Sequence, residues 1–385
     1  MHDEAIDRAR FLTGAAALGV AGAAGPLLGG GRAAAATADG PATGRGRRRH
    51  GHGLRYRGVC YEVADGETPH TGWNAVRMRE DMRVIDEDLH ASSVSVFGDG
   101  ISRLEATSSE AAERGLHVWL QPRLADVPQP DILDHLAETG RHAERLRRQG
   151  ARVHLSVGCE FVLFVPGIVP GGTAVERIRN LTEGNYDPQK MMRRLRSFIA
   201  RAAAVGRSVF RGRMTYGAAQ DDEVDWDLFD IVGVNYYADF RSRRDHVREL
   251  RKYGRWGKPV VVSEFGTCTY KGAPERGGMG WDVVDYGRPE PEIIGGLVRS
   301  ERTQAAYLCD LLDVFESMNL YAALTYDFVT PDAPHRSSPR HDLDMASYSL
   351  VKPVWKTHED PTSAWHWEPK EAFHALARHY ARARH

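Results

Sequence analysis

Two glutamates in this 385-residue chain lie in matching surroundings. Lys258-Pro259-Val260-Val261-Val262-Ser263-Glu264-Phe265-Gly266 is apolar or β-branched through its centre, opened by a proline and closed by a glycine. That is the pattern of a buried strand. Val153-His154-Leu155-Ser156-Val157-Gly158-Cys159-Glu160-Phe161 repeats the plan and also ends in Glu-Phe. A carboxylate at a buried strand end costs solvation free energy unless it is paired or used. One such residue reads as an ion pair to a neighbouring strand. Two strands that deliver a glutamate to the same end read as a carboxylate pair. Two carboxylates facing one acetal divide the work of breaking it. The protonated one gives its proton to the leaving oxygen, and the ionised one attacks carbon or activates water. Their environments must therefore split their pKa values. Glu264, on a tight strand end with tyrosines nearby, suits the ionised role. Glu160, opening into a long loop, suits the proton shuttle.

The elements that position this pair alternate. Strand patterns cover 54–61, 92–97, 116–121, 153–157, 212–216, 231–237, 259–264 and 321–327. Helical spacing covers 73–90, 101–114, 131–149, 187–205, 242–253, 301–318 and 369–383, with a short helical turn at 225–229. Alternation of this kind over this length predicts an α/β fold, a single-domain (β/α)8 TIM barrel over 54–385. A doubly wound sheet would usually carry a glycine phosphate loop after its first strand. Cys60-Tyr61-Glu62-Val63 stands there instead. The long loops, 159–186, 265–300 and 328–368, follow strands 4, 7 and 8. A barrel builds its site from loops that follow strands, so they belong to the same end as the two glutamates.

On these motifs the chain resembles the clan of retaining glycoside hydrolases with (β/α)8 barrels, the cellulase- and mannanase-like enzymes. Val262-Ser263-Glu264-Phe265-Gly266 looks like the clan's strand-7 nucleophile segment. Gly158-Cys159-Glu160 looks like its strand-4 acid/base segment, usually Gly-Asn-Glu. Val234-Asn235-Tyr236-Tyr237 is similar to the strand-6 segment whose tyrosine hydrogen-bonds the nucleophile. The resemblance implies a glycosidase or transglycosylase acting by double displacement, with no cofactor or metal and an oligosaccharide or glycoside as substrate. It places Glu160 and Glu264 as catalytic groups and Cys159, Tyr236, Tyr237, Tyr326, Phe97 and Trp281 as substrate-binding ones. Three departures stand out. Cys159 replaces the Asn that contacts a sugar hydroxyl, and a thiol is a weak donor. Ser95 stands where many members place a strand-2 arginine, so the nucleophile needs another stabiliser. Strand 8 offers Tyr326 or Phe328 in place of a tryptophan, and either can stack on a sugar. The alternative on the same barrel is a catalytically weakened carbohydrate-binding protein.

Trp281, Trp365 and Trp367 lie in the long loops, as stacking platforms or as loop anchors. With 51 basic and 52 acidic residues the net charge is -1, which gives no pull toward nucleic acid or an anionic membrane. The four cysteines lie far apart with no C-x-x-C pair, against a zinc ribbon or disulfide scaffold. His50-Gly51-His52 lies in low-complexity sequence and does not read as a metal site, which needs oriented ligands. Residues 1–36 carry the plan of an export signal, degenerate twin-arginine-like, with Ala9 where a second arginine would be. Residues 37–53 read as a basic Gly/Arg/His linker. The expectation is a secreted or extracytoplasmic monomer, or a cytoplasmic one if the signal does not function.

Overall fold

The computed structural model describes residues 53–382 apart from Glu67, Pro69, Asp221, Arg241, Glu359 and Pro361. The export-signal and linker expectations fall outside the described residues, save for Gly53. Among the described residues no helix is long and apolar enough to cross a membrane.

Eight parallel strands form the barrel: β1 (Tyr56–Glu62), β2 (Ser93–Gly98), β3 (His117–Pro122), β4 (Val153–Cys159), β5 (Met214–Gly217), β6 (Val232–Asn235), β7 (Val260–Phe265) and β8 (Ala322–Thr325). Their order is β5-β4-β3-β2-β1-β8-β7-β6. The last gap is closed by a parallel bridge between Ala218 and Val234. There Ala218 N–H donates to Gly233 O at 3.2 Å and Asn235 N–H to Ala218 O at 2.8 Å. Gly233 makes that closure possible, because a Cβ on it would lie 2.4 Å from Tyr216 O. This is the (β/α)8 barrel the alternation predicts.

The longer helices are α1 (Ala75–Glu87), α2 (Ile101–Glu113), α3 (Gln129–Arg148), α4 (Ala174–Glu183), α5 (Pro188–Val209), α6 (Arg243–Arg251), α7 (Glu301–Ser317) and α8 (Glu371–Ala381), and a single helical turn, Phe161–Phe164, follows Glu160. Helix α7 buries Leu308, Leu311, Leu312 and Phe315 on one face, the stripe its spacing demands. Between β5 and β6 the described residues of the crossover hold a single 3-10 turn, Trp226–Leu228, and no longer helix.

Helix α4 was not legible in the loop after β4. Thr173 and Glu176 form a capping box at its start, which satisfies two otherwise orphaned N–H groups. Its Arg177 is fully buried, pairs with Asp126 and donates to Leu163 O at 2.6 Å. The loops after β7 and β8 are pinned to each other through ions. Lys370 Nζ, fully buried, donates to Asp344 Oδ1 at 2.9 Å and Thr269 Oγ1 at 3.0 Å. Arg299 reaches Asp342, Asp344 and Glu301 at 2.8–3.0 Å. The long top-face loops are thus held from the side by helices and from within by a charge network.

Candidate active site

Glu160 follows β4 directly, and Glu264 is the fifth residue of β7. Glu160 is 0% and Glu264 2% exposed. Glu160 takes a left-handed backbone, φ 38° and ψ 52°, which is sparsely allowed for a residue with a side chain. Its N–H donates to Gly217 O at 2.8 Å, which holds the chain in that turn. Glu160 Oε1 accepts from Asn235 Nδ2 at 2.9 Å, and Asn235 Oδ1 accepts from Ser263 Oγ at 2.8 Å. Asn235 is the register partner of Glu264 in the β6–β7 pairing, so one amide links the two strand ends. Glu160 Oε2 is buried with no hydrogen-bond partner among the described residues.

Glu264 is held differently. Its Oε1 meets Arg123 Nη2 at 2.6 Å, and its Oε2 accepts from Tyr237 Oη at 3.0 Å. Arg123 comes immediately after β3, and its N–H donates to Gly98 O at 2.7 Å. The guanidinium lies 4.0 Å above the Phe97 ring, a cation–π contact that holds it over the barrel mouth. Arg123 Nε and Nη1 have no hydrogen-bond partner among the described residues.

These contacts divide the two carboxyls. Burial pushes both upward, and the negative charge of Glu264 pushes Glu160 further, well above the ordinary carboxylate range. For Glu160 the closest opposing contact is a neutral amide. For Glu264 burial is opposed by a contacting guanidinium and a phenol donor. Both carboxyls are raised, Glu160 the further of the two, so Glu160 keeps its proton to higher pH than Glu264.

The other anticipated residues separate into two sets. Tyr237 touches Glu264 and, with Tyr326, Phe97 and Tyr348, forms an aromatic collar with ring centroids 5.6–6.5 Å apart. Tyr236 points outward instead, its hydroxyl 2.8 Å from His246 Nδ1. The two tyrosines follow β6 directly and their hydroxyls have different partners, so only Tyr237 reaches the mouth. Cys159 lies beside Arg123 and lines a cavity of about 10 Å³ toward α3. Burial raises its thiol well above the ordinary value, so it is neutral. Trp281 lies in the loop after β7, half-buried. Trp367 Nε1 donates to Asp81 at 2.9 Å and Trp365 Nε1 to His70 O at 2.7 Å, so both anchor the antiparallel hairpin that precedes α8, Val351–Trp355 paired with Trp365–Pro369, against the α1 side. All four cysteines are free thiols.

Neither a protein-family model nor any curated protein matches the sequence. Solved structures do resemble it in fold. A GH113 beta-1,4-mannanase matches with TM-score 0.54 and 14% identity, over 85% of this chain and 99% of that one. The GH113 beta-mannanase of Alicyclobacillus acidocaldarius, in complex with ManMIm, gives 0.52 and 15%, over 87% and 98%. Beta-glucuronidase 2 of Bacteroides uniformis gives 0.51 and 16%, over 85% and 35%. At these identities the likeness is one of barrel architecture.

Sequence reasoning did not single out Arg123, Asn235 or Tyr348, nor two further carboxyls at the mouth. Glu62 ends β1 and Asp327 follows β8. Burial raises Glu62 to about 8 and Asp327 to about 7, with Arg123 pulling Glu62 down and Lys370 pulling Asp327 down. Their signal was position: each lies at the C-terminal end of a barrel strand, where such folds place their chemistry. The anticipated need for a cation near Glu264 was the one pointer to Arg123.

Proposed function

We propose that this protein is a retaining glycoside hydrolase or transglycosylase. The observation that carries the reading is the unlike pair, Glu264 ion-paired to Arg123 and Glu160 bonded only to a neutral amide. In the first step a Glu264 carboxylate oxygen attacks the anomeric carbon. The bond from that carbon to the glycosidic oxygen breaks, and Glu160 delivers its proton to that oxygen. In the second step Glu160 takes a proton from water, or from an acceptor hydroxyl, whose oxygen displaces Glu264. The mechanism fits a site in which one carboxyl is raised well above the other, which a contacting guanidinium and a phenol donor hold down against burial. Tyr237 orients Glu264, and the aromatic collar offers faces for a sugar ring. The fold neighbours are named for β-linked substrates, so aryl β-mannosides, β-glucosides and β-glucuronides are the first to try.

The test uses leaving-group dependence. Glu264→Gln should abolish hydrolysis of every active substrate without unfolding the barrel. Glu160→Gln should abolish cleavage of alkyl glycosides yet retain part of the turnover of dinitrophenyl glycosides, whose leaving group needs no proton. Wild-type turnover in Glu264→Gln would sink the assignment. The second reading, a carbohydrate-binding barrel without turnover, is favoured by how little of either glutamate is exposed. Saturable sugar binding with no product across the panel would establish it.

A further inference from the structure

A second cleft, of about 360 Å³, opens between helix α4 and the segment Met279–Tyr286 of the loop after β7. Its volume falls within the roughly 300–1,000 Å³ usual for small-molecule sites. Both walls are tied to the candidate catalytic pair. On one side Arg177 of α4 is bonded to Leu163 O, three residues past Glu160. On the other, the Tyr348 ring meets the Tyr237 ring that serves Glu264 edge to face at 5.6 Å, and its hydroxyl donates to Gly277 O at 3.1 Å and accepts from Gly280 N–H at 3.2 Å. Trp281 is the next residue. The cleft is therefore held in a fixed relation to the barrel mouth.

Its lining is two-faced. Ile178, Met279 and Trp281 supply apolar surface; Thr182, Glu183 and Asp282 supply hydroxyl and carboxylate groups. The Trp281 Nε1–H is buried and has no acceptor among the described residues, an arrangement that usually finds a partner. A pyranose ring matches this pattern. Its C–H face covers an indole, while its hydroxyls donate to carboxylates and accept from an indole N–H. We propose that this cleft is a distal sugar-binding subsite, taking a unit of an oligosaccharide whose scissile bond lies between Glu160 and Glu264. The proposal rests on the glycosidase reading for that bond alone. Sugar capture by the cleft does not depend on turnover.

The experiment uses the full chain and two cleft variants, Trp281→Ala and Thr182→Trp, the second filling the space. Each is tested alone for hydrolysis and in combination with Glu264→Gln for binding. Mannohexaose and cellohexaose are titrated calorimetrically into the Glu264→Gln chain and its cleft variants. Whichever hexasaccharide binds should lose about tenfold in affinity in both cleft variants. In the Glu264-containing chains, the ratio of kcat/KM for the hexasaccharide to that for an aryl glycoside should fall by the same factor. A merely damaged fold lowers both rates and leaves the ratio alone. Unchanged affinity and unchanged ratio in both variants overturn the subsite while leaving the glycosidase intact. Failure of both hexasaccharides to bind the Glu264→Gln chain overturns it as well. Cleft-dependent binding with no aryl glycoside cleaved by the parent keeps the subsite and removes the glycosidase reading.

Discussion

Arg123 Nη2 lies 2.6 Å from Glu264 Oε1, with the arginine 6% and the glutamate 2% exposed. The cation that Ser95 does not supply from strand 2 arrives from the end of β3. In a buried site a contacting guanidinium favours the ionised carboxyl strongly.

Arg123→Gln should therefore raise the Glu264 carboxyl further, because burial would then act with only Tyr237 opposing it. An ionised nucleophile is needed on the acid side of the pH profile. The acid limb of kcat/KM should move to higher pH, and kcat/KM at pH 7 should fall by about a hundredfold or more. Arg123→Lys keeps the charge without the planar fork, and should restore the acid limb more than the rate. An acid limb unmoved in Arg123→Gln would show that Arg123 is a structural ion only.

Asn235 acts on the other carboxyl. Its N–H to Glu160 Oε1 favours the charged form and so opposes the upward shift caused by burial and by Glu264. Removing it in Asn235→Ala should raise Glu160 further and push the alkaline limb of kcat/KM to higher pH. Asn235→Asp adds a second negative charge and should push the limb further still. A limb that moves down, or not at all, would detach Glu160 from the proton-donor role. The measurement is a pH series on one aryl glycoside with a poor leaving group.

The barrel was legible because its signals are periodic. Strands β4 and β7 repeat one apolar plan, α7 shows its buried stripe, and glycines close several helices. The two glutamates were legible because a charge at the end of such a strand stands out. What supports them was not. Arg123 lies outside any periodic segment, and its role depends on β3 and β7 facing each other across the barrel, a relation that no local spacing encodes. Asn235 looks like an ordinary strand end until its partner just past β4, Glu160, is known. Trp367 and Trp365 read equally well as platforms or anchors, and only the positions of Asp81 on α1 and of the His70 carbonyl decide between them. Helix α4 carries its capping box in sequence, Thr173 and Glu176, yet the glycines before it read as loop.

Lys370 tests whether the charge network holds the top-face loops. Burial lowers its ammonium, and Asp344 is the main group pulling it back. Lys370→Met leaves Asp344 buried with Arg299 as its remaining cation. Breaking one partner of a buried pair typically costs about 3–5 kcal/mol. Urea unfolding should show a loss of that order, and Lys370→Met with Asp344→Asn should recover part of it. A single variant as stable as the parent would mean that the loops are held by their apolar contacts alone.

Asp81 gives the fold a pH-dependent term independent of the site. It is 0% exposed, accepts from Tyr61 Oη at 2.8 Å and from Trp367 Nε1 at 2.9 Å. Burial nevertheless raises its carboxyl from 3.8 to about 7, with the two donors pulling it down. A group whose folded pKa lies above its unfolded one binds protons more tightly when folded. Its stabilising contribution is full below about pH 4 and is lost as pH rises through about 7. The shift of about three pKa units corresponds to a contribution on the order of 4 kcal/mol. The melting temperature should accordingly fall between pH 5 and pH 8, and Asp81→Asn should flatten that fall whatever its offset at pH 5. An equal slope in the variant and the parent would show that Asp81 titrates at its ordinary value, and that the Tyr61 and Trp367 donors fully offset its burial.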